Sequence, residues 1–283
     1  MTAPMPPPAP VRTVLVTGAS SGIGRCVALG LKQRGWAVFA TARSDADLQA
    51  LGDAGLTPVP LDLATSASTL AAAKTVLEAT DGRLDALFNN AAFAQPGAVE
   101  DLSRDALRAQ FEVNLFGTIE LTNAVLPAMR ARGHGRIVMN GSVLGLVAMP
   151  YRGAYNATKF ALEGITDTLR LELRGSGVHA VLIEPGPIQS NFRAAARRQF
   201  EAHIDADHSA HAGRYRDMRR QTARGRRQSR FTRPPEAVLK KVIHALEAPR
   251  PRPRYYVTFP THLFGFLRRV LPTRVLDWIL ARA

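Results

Sequence analysis

The stretch VRTVLVTGASSGIG, residues 11–24, carries an apolar segment directly into a glycine-rich turn. Val11 to Val16 have the length and composition of a buried β-strand. Gly18, Gly22 and Gly24 follow at the spacing Gly-x-x-x-Gly-x-Gly, and a helical pattern starts within the turn. Such glycines let a backbone approach a phosphate, which the first N–H groups of the helix then bind. The order of strand, glycine turn and helix favours nucleotide binding over a tight turn without a ligand.

The alternation of strand and helix patterns continues along the chain. The predicted strands are Val11 to Val16, Ala37 to Thr41, Ala86 to Asn89, Arg136 to Met139, His179 to Glu184 and Tyr255 to Val257. The predicted helices are Gly22 to Arg34, Ala67 to Thr80, Arg104 to Arg132, Tyr155 to Arg174 and Pro234 to Ala248. This alternation predicts an α/β fold, a single-domain, Rossmann-like, doubly wound parallel sheet with helices on both faces. Ligands of such a sheet bind beyond the carboxyl ends of its strands, so we expect the site there.

Composition narrows the class of protein. The chain has 283 residues, 46% hydrophobic and 21% charged, which is typical of a globular protein and excludes a disordered or fibrous one. Its net charge of +14 indicates an anionic partner, which is a phosphorylated cofactor, an acidic membrane surface or nucleic acid. The single cysteine, Cys26, excludes an internal disulfide. Because the sequence has no apolar run of about 18 residues, we expect a soluble, cytoplasmic protein.

Two segments stand apart from a domain that we place at residues 11–260. Residues 1–10 are proline-rich and are predicted to be a disordered lead-in. Within the domain, residues 190–233 are rich in arginine and are predicted to form a mostly helical or mobile lid over the site. The histidines of this lid do not have a metal-binding spacing, so we interpret them as surface residues and expect no metal. They are His203, His208 and His211.

The tail, residues 261–283, alternates apolar clusters with arginine. It predicts two short amphipathic helices divided at Pro272. Their apolar face either packs on the domain or contacts a membrane interface, and we favour packing. For the arginine cluster of the predicted lid, a solvated flexible lid is favoured and contact with anionic lipid is an alternative. Nucleic-acid binding by this cluster is least favoured, since no recognised reading module or interleaved stacking aromatics accompany it.

The end of the second predicted strand bears on the cofactor. A site that selects NAD usually has an acidic residue here, which binds the ribose 2′-hydroxyl. In this chain the strand ends Ala40-Thr41-Ala42-Arg43, without a carboxylate. Arg43 can pair with a 2′-phosphate through charge-assisted hydrogen bonds. We therefore expect NADP(H) as the preferred cofactor and NAD(H) as the second choice, unless Arg43 is only a solvated surface charge.

A tyrosine and a lysine four positions apart, Tyr155 and Lys159 in AYNATKFALEG, complete a set of motifs. Together with TGASSGIG, the motifs LDLA, NNAA, EVNLFG, NGSVLG and EPGPIQS resemble those of the short-chain dehydrogenase/reductase family, in the family's order, over most of the chain. The lid and tail resemble, more weakly, the branch of retinol and 17β-hydroxysteroid dehydrogenases and bacterial aldehyde reductases. Two departures are mild, because Ala92 replaces a usual glycine and Ser190 a common threonine.

The resemblance implies a set of site residues. The implied catalytic residues are Asn114, Ser142, Tyr155 and Lys159. The implied cofactor-binding residues are Gly18, Ser20, Ser21, Gly22, Ile23, Gly24, Arg43, Asp62, Leu63, Asn90, Ala91, Ala92, Tyr155, Lys159, Pro185, Gly186, Ile188 and Ser190.

Carbonyl reduction needs a hydride, which a nicotinamide supplies, and an acid that protonates the developing alkoxide. A phenol with a pKa of about 10 exchanges protons poorly at neutral pH, so we expect Lys159, on the same helix face, to lower the pKa of Tyr155 by about three units, roughly 4 kcal/mol. Ser142 is expected to donate a hydrogen bond to the substrate oxygen. The resemblance also assigns Lys159 to the ribose hydroxyls, and Asn114 to a water that resupplies protons.

These features predict an NADP(H)-dependent oxidoreductase that interconverts a carbonyl and an alcohol on an apolar substrate. The alternatives are a non-catalytic dinucleotide-binding sensor or scaffold, and a basic protein that associates with membranes or nucleic acid. Kinship implies a homodimer or homotetramer through the helices that contain Asn114 and Tyr155. The small residues Ala157, Ala161 and Gly164 face either that partner or the protein's own sheet.

Overall fold

A seven-stranded sheet forms the centre of the computed structural model, which describes residues 11–223 and 229–282. Neighbouring strands are parallel, in the order β3-β2-β1-β4-β5-β6-β7. The strands are β1 (Thr13–Val16), β2 (Ala37–Ala42), β3 (Thr57–Pro60), β4 (Ala86–Asn89), β5 (Gly135–Asn140), β6 (Val178–Glu184) and β7 (Arg254–Tyr256). The predicted doubly wound α/β fold is confirmed.

Helices cover both faces of this sheet. They are α1 (Gly22–Gln33), α2 (Asp45–Asp53), α3 (Ser66–Ala79), α4 (Arg104–Phe111), α5 (Gly117–Ala131), α6 (Gly153–Glu172), α7 (Phe192–His203), α8 (Ala212–Ala223), α9 (Glu236–Glu247), α10 (Phe259–Val270) and α11 (Thr273–Leu280). Side chains alternate across each strand, so Val14 and Val16 pack with α1 and α9, while Leu15 packs with α3, α5 and α6. Two apolar cores, one on each face, hold the strands whose carboxyl ends carry the site.

The structure adds two elements that the sequence pattern did not predict, α2 and β3. The sequence of β3 is TPVP, and prolines cannot donate to a ladder, which is why the segment resembles a loop. β3 pairs with β2 alone and lies at the edge of the sheet, where strand prolines are tolerated. The other predicted boundaries lie within two residues of the observed ones, apart from one helix.

That helix, predicted over Arg104 to Arg132, is interrupted. α4 ends at Phe111, the residues Glu112–Phe116 form a π-helical turn, and α5 begins at Gly117. A Cβ on Gly117 would lie 2.1 Å from the carbonyl oxygen of Leu63, so this point packs against the segment after β3. Turns of this kind are frequent at functional sites, and Asn114 lies within this one.

The lid segment packs on the domain through α7 and α8. Tyr215 of α8 is fully buried in an apolar cluster with Phe200 and Ile204. Its hydroxyl accepts a hydrogen bond from the Ala98 N–H at 2.8 Å and donates one to the Asp101 carboxylate. The side chains of Phe200, Ile204 and Tyr215 therefore hold this arginine-rich segment against the domain.

His203 and His208 are exposed as predicted, but His211 is half-buried. Its ring packs edge-on against Tyr151, and its Nε2 lies 2.6 Å from Glu100 Oε1, so this surface residue is partly packed against its neighbours. In the described part of the chain no three His, Cys, Asp or Glu side chains converge as metal ligands would. The predicted lead-in, residues 1–10, and residues 224–228 of the predicted lid lie outside the described residues.

The tail forms two helices, α10 and α11, divided at Pro272 as predicted. Phe264 and Leu280 lie on the inner faces of these two helices and are buried in a cluster that contains Val143, Leu144 and Tyr155. The favoured prediction, that an apolar face of the tail packs on the domain, is therefore confirmed. Within residues 11–223 and 229–282 no helix combines the length and apolar character that crossing a bilayer requires.

Candidate active site

The chain segments that carry the predicted site residues meet at the carboxyl edge of the sheet. The glycine turn follows β1, Arg43 follows β2, and Asp62 and Leu63 follow β3. Asn90, Ala91 and Ala92 follow β4, Ser142 follows β5, and Pro185, Gly186, Ile188 and Ser190 follow β6. Asn114 reaches this edge from the π-helical turn, and Tyr155 and Lys159 reach it from the first turns of α6.

The glycine turn leaves no room for side chains at two positions. Gly18 has a φ of +64°, a left-handed conformation that favours glycine. A Cβ on Gly24 would lie 2.1 Å from the Gly18 carbonyl oxygen and 2.7 Å from Asn90 Nδ2. The first turn of α1 is thus in direct contact with the turn after β1. This cradle fits a dinucleotide, whose pyrophosphate binds at the amino terminus of such a helix.

Ser20, Ser21 and Ile23 complete the turn between these glycines. Ser21 is the residue before α1, and its hydroxyl caps no backbone N–H of that helix. It is exposed, whereas Ile23 packs partly into the core against α9. An uncapped, exposed serine at a helix amino terminus leaves a hydroxyl and backbone N–H groups to bind a phosphate.

Thr17, which the sequence analysis did not select, fixes the segment after β4. Its buried hydroxyl accepts hydrogen bonds from the N–H groups of Asn90 at 2.8 Å and Ala91 at 2.9 Å. The Asn90 side chain returns a bond from Nδ2 to the Thr17 carbonyl at 2.9 Å, and its Oδ1 accepts one from Asn140. Asn90 therefore holds the site together by binding protein groups. The position of Thr17, directly before the first glycine, is the signal that points to it.

The end of β2 lies against the glycine turn. Ala19 N–H donates to the Thr41 carbonyl at 2.8 Å, and Gly18 N–H donates to the Thr41 hydroxyl at 3.1 Å. Arg43 is exposed two residues further on. On the neighbouring strand, Asp62 Oδ1 accepts from the Ala64 N–H at 3.0 Å. The structure thus places the exposed Arg43 two residues after Thr41, which contacts the turn, and β2 itself contains no carboxylate.

Ser142, Tyr155 and Lys159 are buried together at the end of β5. The Ser142 hydroxyl accepts from the Leu144 N–H at 3.1 Å and lies near enough to the Tyr155 phenol to act on its pKa. Lys159 Nζ donates to the Asn140 carbonyl at 2.6 Å and lies 5.6 Å from the centre of the Tyr155 ring. The i, i+4 spacing therefore places the phenol and the ammonium on one face of α6, as predicted.

Asn114 joins two segments of this site. Its Oδ1 accepts from the Phe93 N–H at 3.1 Å, and its Nδ2 donates to the Phe93 carbonyl at 2.9 Å. The same Nδ2 contacts the Thr158 hydroxyl at 3.3 Å. Asn114 thereby anchors the chain after Ala92 to α6, next to Lys159. The described geometry gives it this positioning role.

Burial dominates the proton affinities of the site. It raises the pKa of Tyr155 to about 12, although the hydrogen bond with Ser142 and the charge of Arg152 act in the opposite direction. It lowers the pKa of Lys159 to about 8, opposed by the carboxylate of Glu163. The expected lowering of the Tyr155 pKa is therefore wrong for this structure. The Lys159 ammonium is directed at the Asn140 carbonyl, and the cost of a buried phenolate prevails.

A buried charge network, which the sequence analysis missed, extends from Lys159 to β7. Glu163 lies one turn beyond Lys159 on α6 and pairs with Arg254. Arg254 also pairs with Glu184 and Asp167, each at 2.6 Å. Burial, together with the charge of Glu163, raises the pKa of Glu184. The regular spacing of Tyr155, Lys159 and Glu163 along one helix face is the signal for this extension.

The segment after β6 closes the cleft. The Pro185 carbonyl accepts from the Val143 N–H at 2.8 Å. A Cβ on Gly22 would lie 3.2 Å from Ser190 Cβ, and the Phe192 ring packs edge-on against Tyr155 at 5.5 Å. The segment therefore runs from the glycine turn to the buried tyrosine. Gly186 and Ile188 lie between, packed toward Thr258 and the core respectively.

A family model described as short chain dehydrogenase matches residues 12–201. The chain belongs to the short-chain dehydrogenase/reductase family. Members of this family are oxidoreductases, and this chain is an NAD(P)-dependent dehydrogenase/reductase. The match covers the sheet through β6, together with all four predicted catalytic residues.

Individual relatives of this short-chain dehydrogenase/reductase extend the match over the tail. The chain is 42% identical over 269 residues to the uncharacterized oxidoreductase YbbO of Escherichia coli strain K12, covering 95% of this chain and 94% of that protein. It is 36% identical over 263 residues to human 17-beta-hydroxysteroid dehydrogenase type 1, covering 87% and 77%. A Burkholderia phymatum short-chain dehydrogenase/reductase in complex with NAD superimposes with a TM-score of 0.76 at 28% identity, covering 95% of each chain. Similar solved structures hold either NAD or NADP.

Proposed function

We propose that this chain is an NADP(H)-dependent oxidoreductase that interconverts an apolar aldehyde or ketone and its alcohol, with Tyr155 as general acid and base. The observation that carries the proposal is the burial of Ser142, Tyr155 and Lys159 together, beside a glycine cradle that a Cβ at Gly24 would fill. The cradle fits a nicotinamide dinucleotide, which supplies the hydride when bound.

The protein's own residues handle the proton. A phenol whose pKa lies near 12 stays protonated at neutral pH, so Tyr155 can donate a proton to a developing alkoxide. Ser142, buried beside that phenol, is placed to donate to the same oxygen. Lys159 has a pKa of about 8, close to neutral pH, which suits it to return a proton toward Tyr155. Asn114 holds Thr158 and Phe93 in place around this pair.

The walls of the cleft favour an apolar substrate. Tyr155 is buried in an apolar cluster with Val143, Leu144 and Val147, to which the tail contributes Phe264 and Leu280. In such surroundings a charged group of a substrate would be buried without a partner, at a high cost in free energy. Carbon and hydroxyl groups of a substrate would not carry this cost of unpaired charge. Steady-state reduction of short and long straight-chain aldehydes, with a charged keto acid as control, tests this. We expect kcat/KM to rise with chain length, and preference for the keto acid would overturn the apolar assignment.

The preference for NADP(H) rests on Arg43. It is exposed at the end of β2, next to the glycine turn, and no carboxylate occupies the last residues of that strand. Loss of a charge-assisted pair with a 2′-phosphate corresponds to roughly tenfold to hundredfold in affinity. Arg43→Ala should therefore weaken NADPH by that factor and leave NADH nearly unchanged.

The matched control for Arg43→Ala is Arg83→Ala. Arg83 is exposed and precedes β4, so it lies at the amino ends of the strands, opposite to the carboxyl ends that carry the site. Both affinities should stay at wild-type values in this control. Equal weakening of NADPH and NADH by Arg43→Ala would contradict the phosphate assignment and leave dinucleotide binding itself intact.

The proposal includes a homodimer or homotetramer built on α6 and the π-helical turn. Phe116, Ile165 and Leu171 are exposed apolar residues there, and Ala157 and Gly164 face outward from the domain. An apolar, small-residue surface of this kind is suited to close helix packing between subunits. Light scattering of Phe116→Glu should show a smaller particle than the wild type, and an unchanged mass would remove this face from the interface.

A further inference from the structure

The outer faces of α10 and α11 are apolar, although their inner faces are already buried. Phe259, Leu263, Phe266 and Val270 are exposed on α10 at spacings of four, three and four residues. This spacing places them on one narrow stripe about 16 Å long. The stripe faces away from the catalytic cluster, so packing within the domain does not account for it.

α11 continues the pattern with a second exposed face. Val275 and Trp278 lie three residues apart and are exposed, and the Arg282 guanidinium stacks 4.2 Å from the centre of the Trp278 ring. Phe231, from the end of the lid, stacks on Phe259 with ring centres 5.4 Å apart, and Arg230 lies over Phe231. The lid and the tail thus contribute to one apolar surface with stacked arginines, which we name the tail surface.

The charges around the tail surface are mostly positive. Arg269, Arg274 and Arg282 are exposed on the two helices, and Asp277 is the single carboxylate between residues 259 and 282. The whole chain carries a net charge of +14. Aromatic and aliphatic side chains beside arginines are the composition of helices that lie in the interfacial plane of a bilayer. Tryptophan favours that depth because its ring is apolar and its N–H is polar.

We propose that the tail surface docks on a bilayer of anionic lipid, with α10 and α11 lying in its interface. Charge complementarity favours this occupant over a second copy of the chain, because a self-paired tail surface would bring the arginines of two copies together. Phe264 and Leu280, from the inner faces of the same helices, belong to the buried apolar cluster that contains Tyr155, so docking sets the catalytic cleft next to the bilayer. Delivery of an apolar substrate from the lipid to that cleft rests on the proposed function, whereas docking itself does not.

Flotation of the purified full-length protein with vesicles tests the docking. We expect association with vesicles that contain phosphatidylglycerol, weak association with pure phosphatidylcholine, and weakening with salt because the attraction is partly electrostatic. The informative variant is Phe266→Glu combined with Trp278→Glu. These side chains are 61% and 60% exposed, so their replacement leaves the core intact. Each withdrawn aromatic contributes on the order of tenfold in partitioning, so the double variant should bind at least about tenfold more weakly.

Leu70→Glu is the matched control, since Leu70 is a 48% exposed apolar residue on α3. It should bind anionic vesicles like the wild type, apart from the small effect of one added charge. Failure of the wild type to float with anionic vesicles overturns the proposal, as does wild-type binding by the double variant. A loss of oligomer mass in the double variant, without vesicle binding by the wild type, would assign the surface to a second copy. Reduction of a water-soluble aldehyde without vesicles reports the proposed function separately.

Discussion

Gly24→Ala is the substitution whose effect the geometry defines most sharply. The new Cβ would lie 2.1 Å from the Gly18 carbonyl oxygen, whereas ordinary contact begins at 3.4 Å, so α1 and the turn after β1 must separate by more than 1 Å. The second contact, 2.7 Å to Asn90 Nδ2, opposes relief in that direction. Both neighbours are held by other bonds, because Asn90 Nδ2 donates to the carbonyls of Thr17 and Gly18.

Overpacking of this kind costs about 1–3 kcal/mol of unfolding free energy. The displaced helix terminus also misaligns the N–H groups that would bind the pyrophosphate, so we expect the dinucleotide Kd to rise by at least about tenfold. Titration of NADPH fluorescence and thermal unfolding, performed on the same preparations, measure the two effects.

The control is Gly52→Ala. Gly52 lies near the end of α2, and a Cβ there would meet Pro58 at an ordinary 3.9 Å. Alanine at this helical position should be neutral or stabilising by about 0.5–1 kcal/mol, with an unchanged dinucleotide Kd. If Gly24→Ala binds NADPH as tightly as Gly52→Ala does, the cradle is not the dinucleotide site.

Three further predictions concern the site's interior. Thr17→Val should lower the unfolding free energy by about 2 kcal/mol, because two partly buried N–H groups lose their acceptor, and Thr17→Ser should restore it in denaturant titrations. Lys159→Met should reduce the rate of carbonyl reduction at least about hundredfold while raising the melting temperature at pH 7. Because folding lowers the Lys159 pKa, the buried ammonium destabilises the wild type fully at low pH, and this destabilisation fades as pH rises through 8 toward 10. A stability difference between variant and wild type that stays constant across that range would contradict the assignment. Glu184→Gln should become more stable relative to the wild type as pH rises above the usual pKa of a carboxyl group. The reason is that folding raises the Glu184 pKa, so the wild type loses stability in that pH range. If the stabilities of variant and wild type change in parallel with pH, Glu184 is ionised throughout.

The sequence predicted those parts of the molecule that depend on local pattern. The glycine turn after β1, the order of strand and helix, and the pairing of Tyr155 with Lys159 on one helix face all follow from residue type and spacing. β3 was missed because its two prolines have no N–H to donate. The missing donors cost ladder hydrogen bonds only when both sides of a strand are paired, and β3 is paired on one side, with β2. Local pattern does not show that this strand lies at the edge.

Features that depend on contacts distant in sequence were not predicted. Asn114, within the π-helical turn, contacts Phe93 and Thr158, which lie on other segments. The direction of the Tyr155 pKa shift was predicted wrongly because spacing shows a nearby lysine but not how deeply the phenol is buried. The role of Arg254, which pairs with three carboxylates from α6 and β6, becomes evident only when β7 is placed beside β6.

The central claim is that Tyr155 transfers the proton in an NADPH-dependent carbonyl reduction. The most direct measurement is the rate of NADPH oxidation by an apolar aldehyde, compared among wild type, Tyr155→Phe and the control Tyr256→Phe, whose half-buried hydroxyl contacts Arg269. We expect Tyr155→Phe to lose at least about a hundredfold in kcat with an unchanged melting profile, and Tyr256→Phe to match the wild type. A Tyr155→Phe variant with wild-type kcat, or a wild type that oxidises NADPH with no carbonyl compound, would contradict the claim.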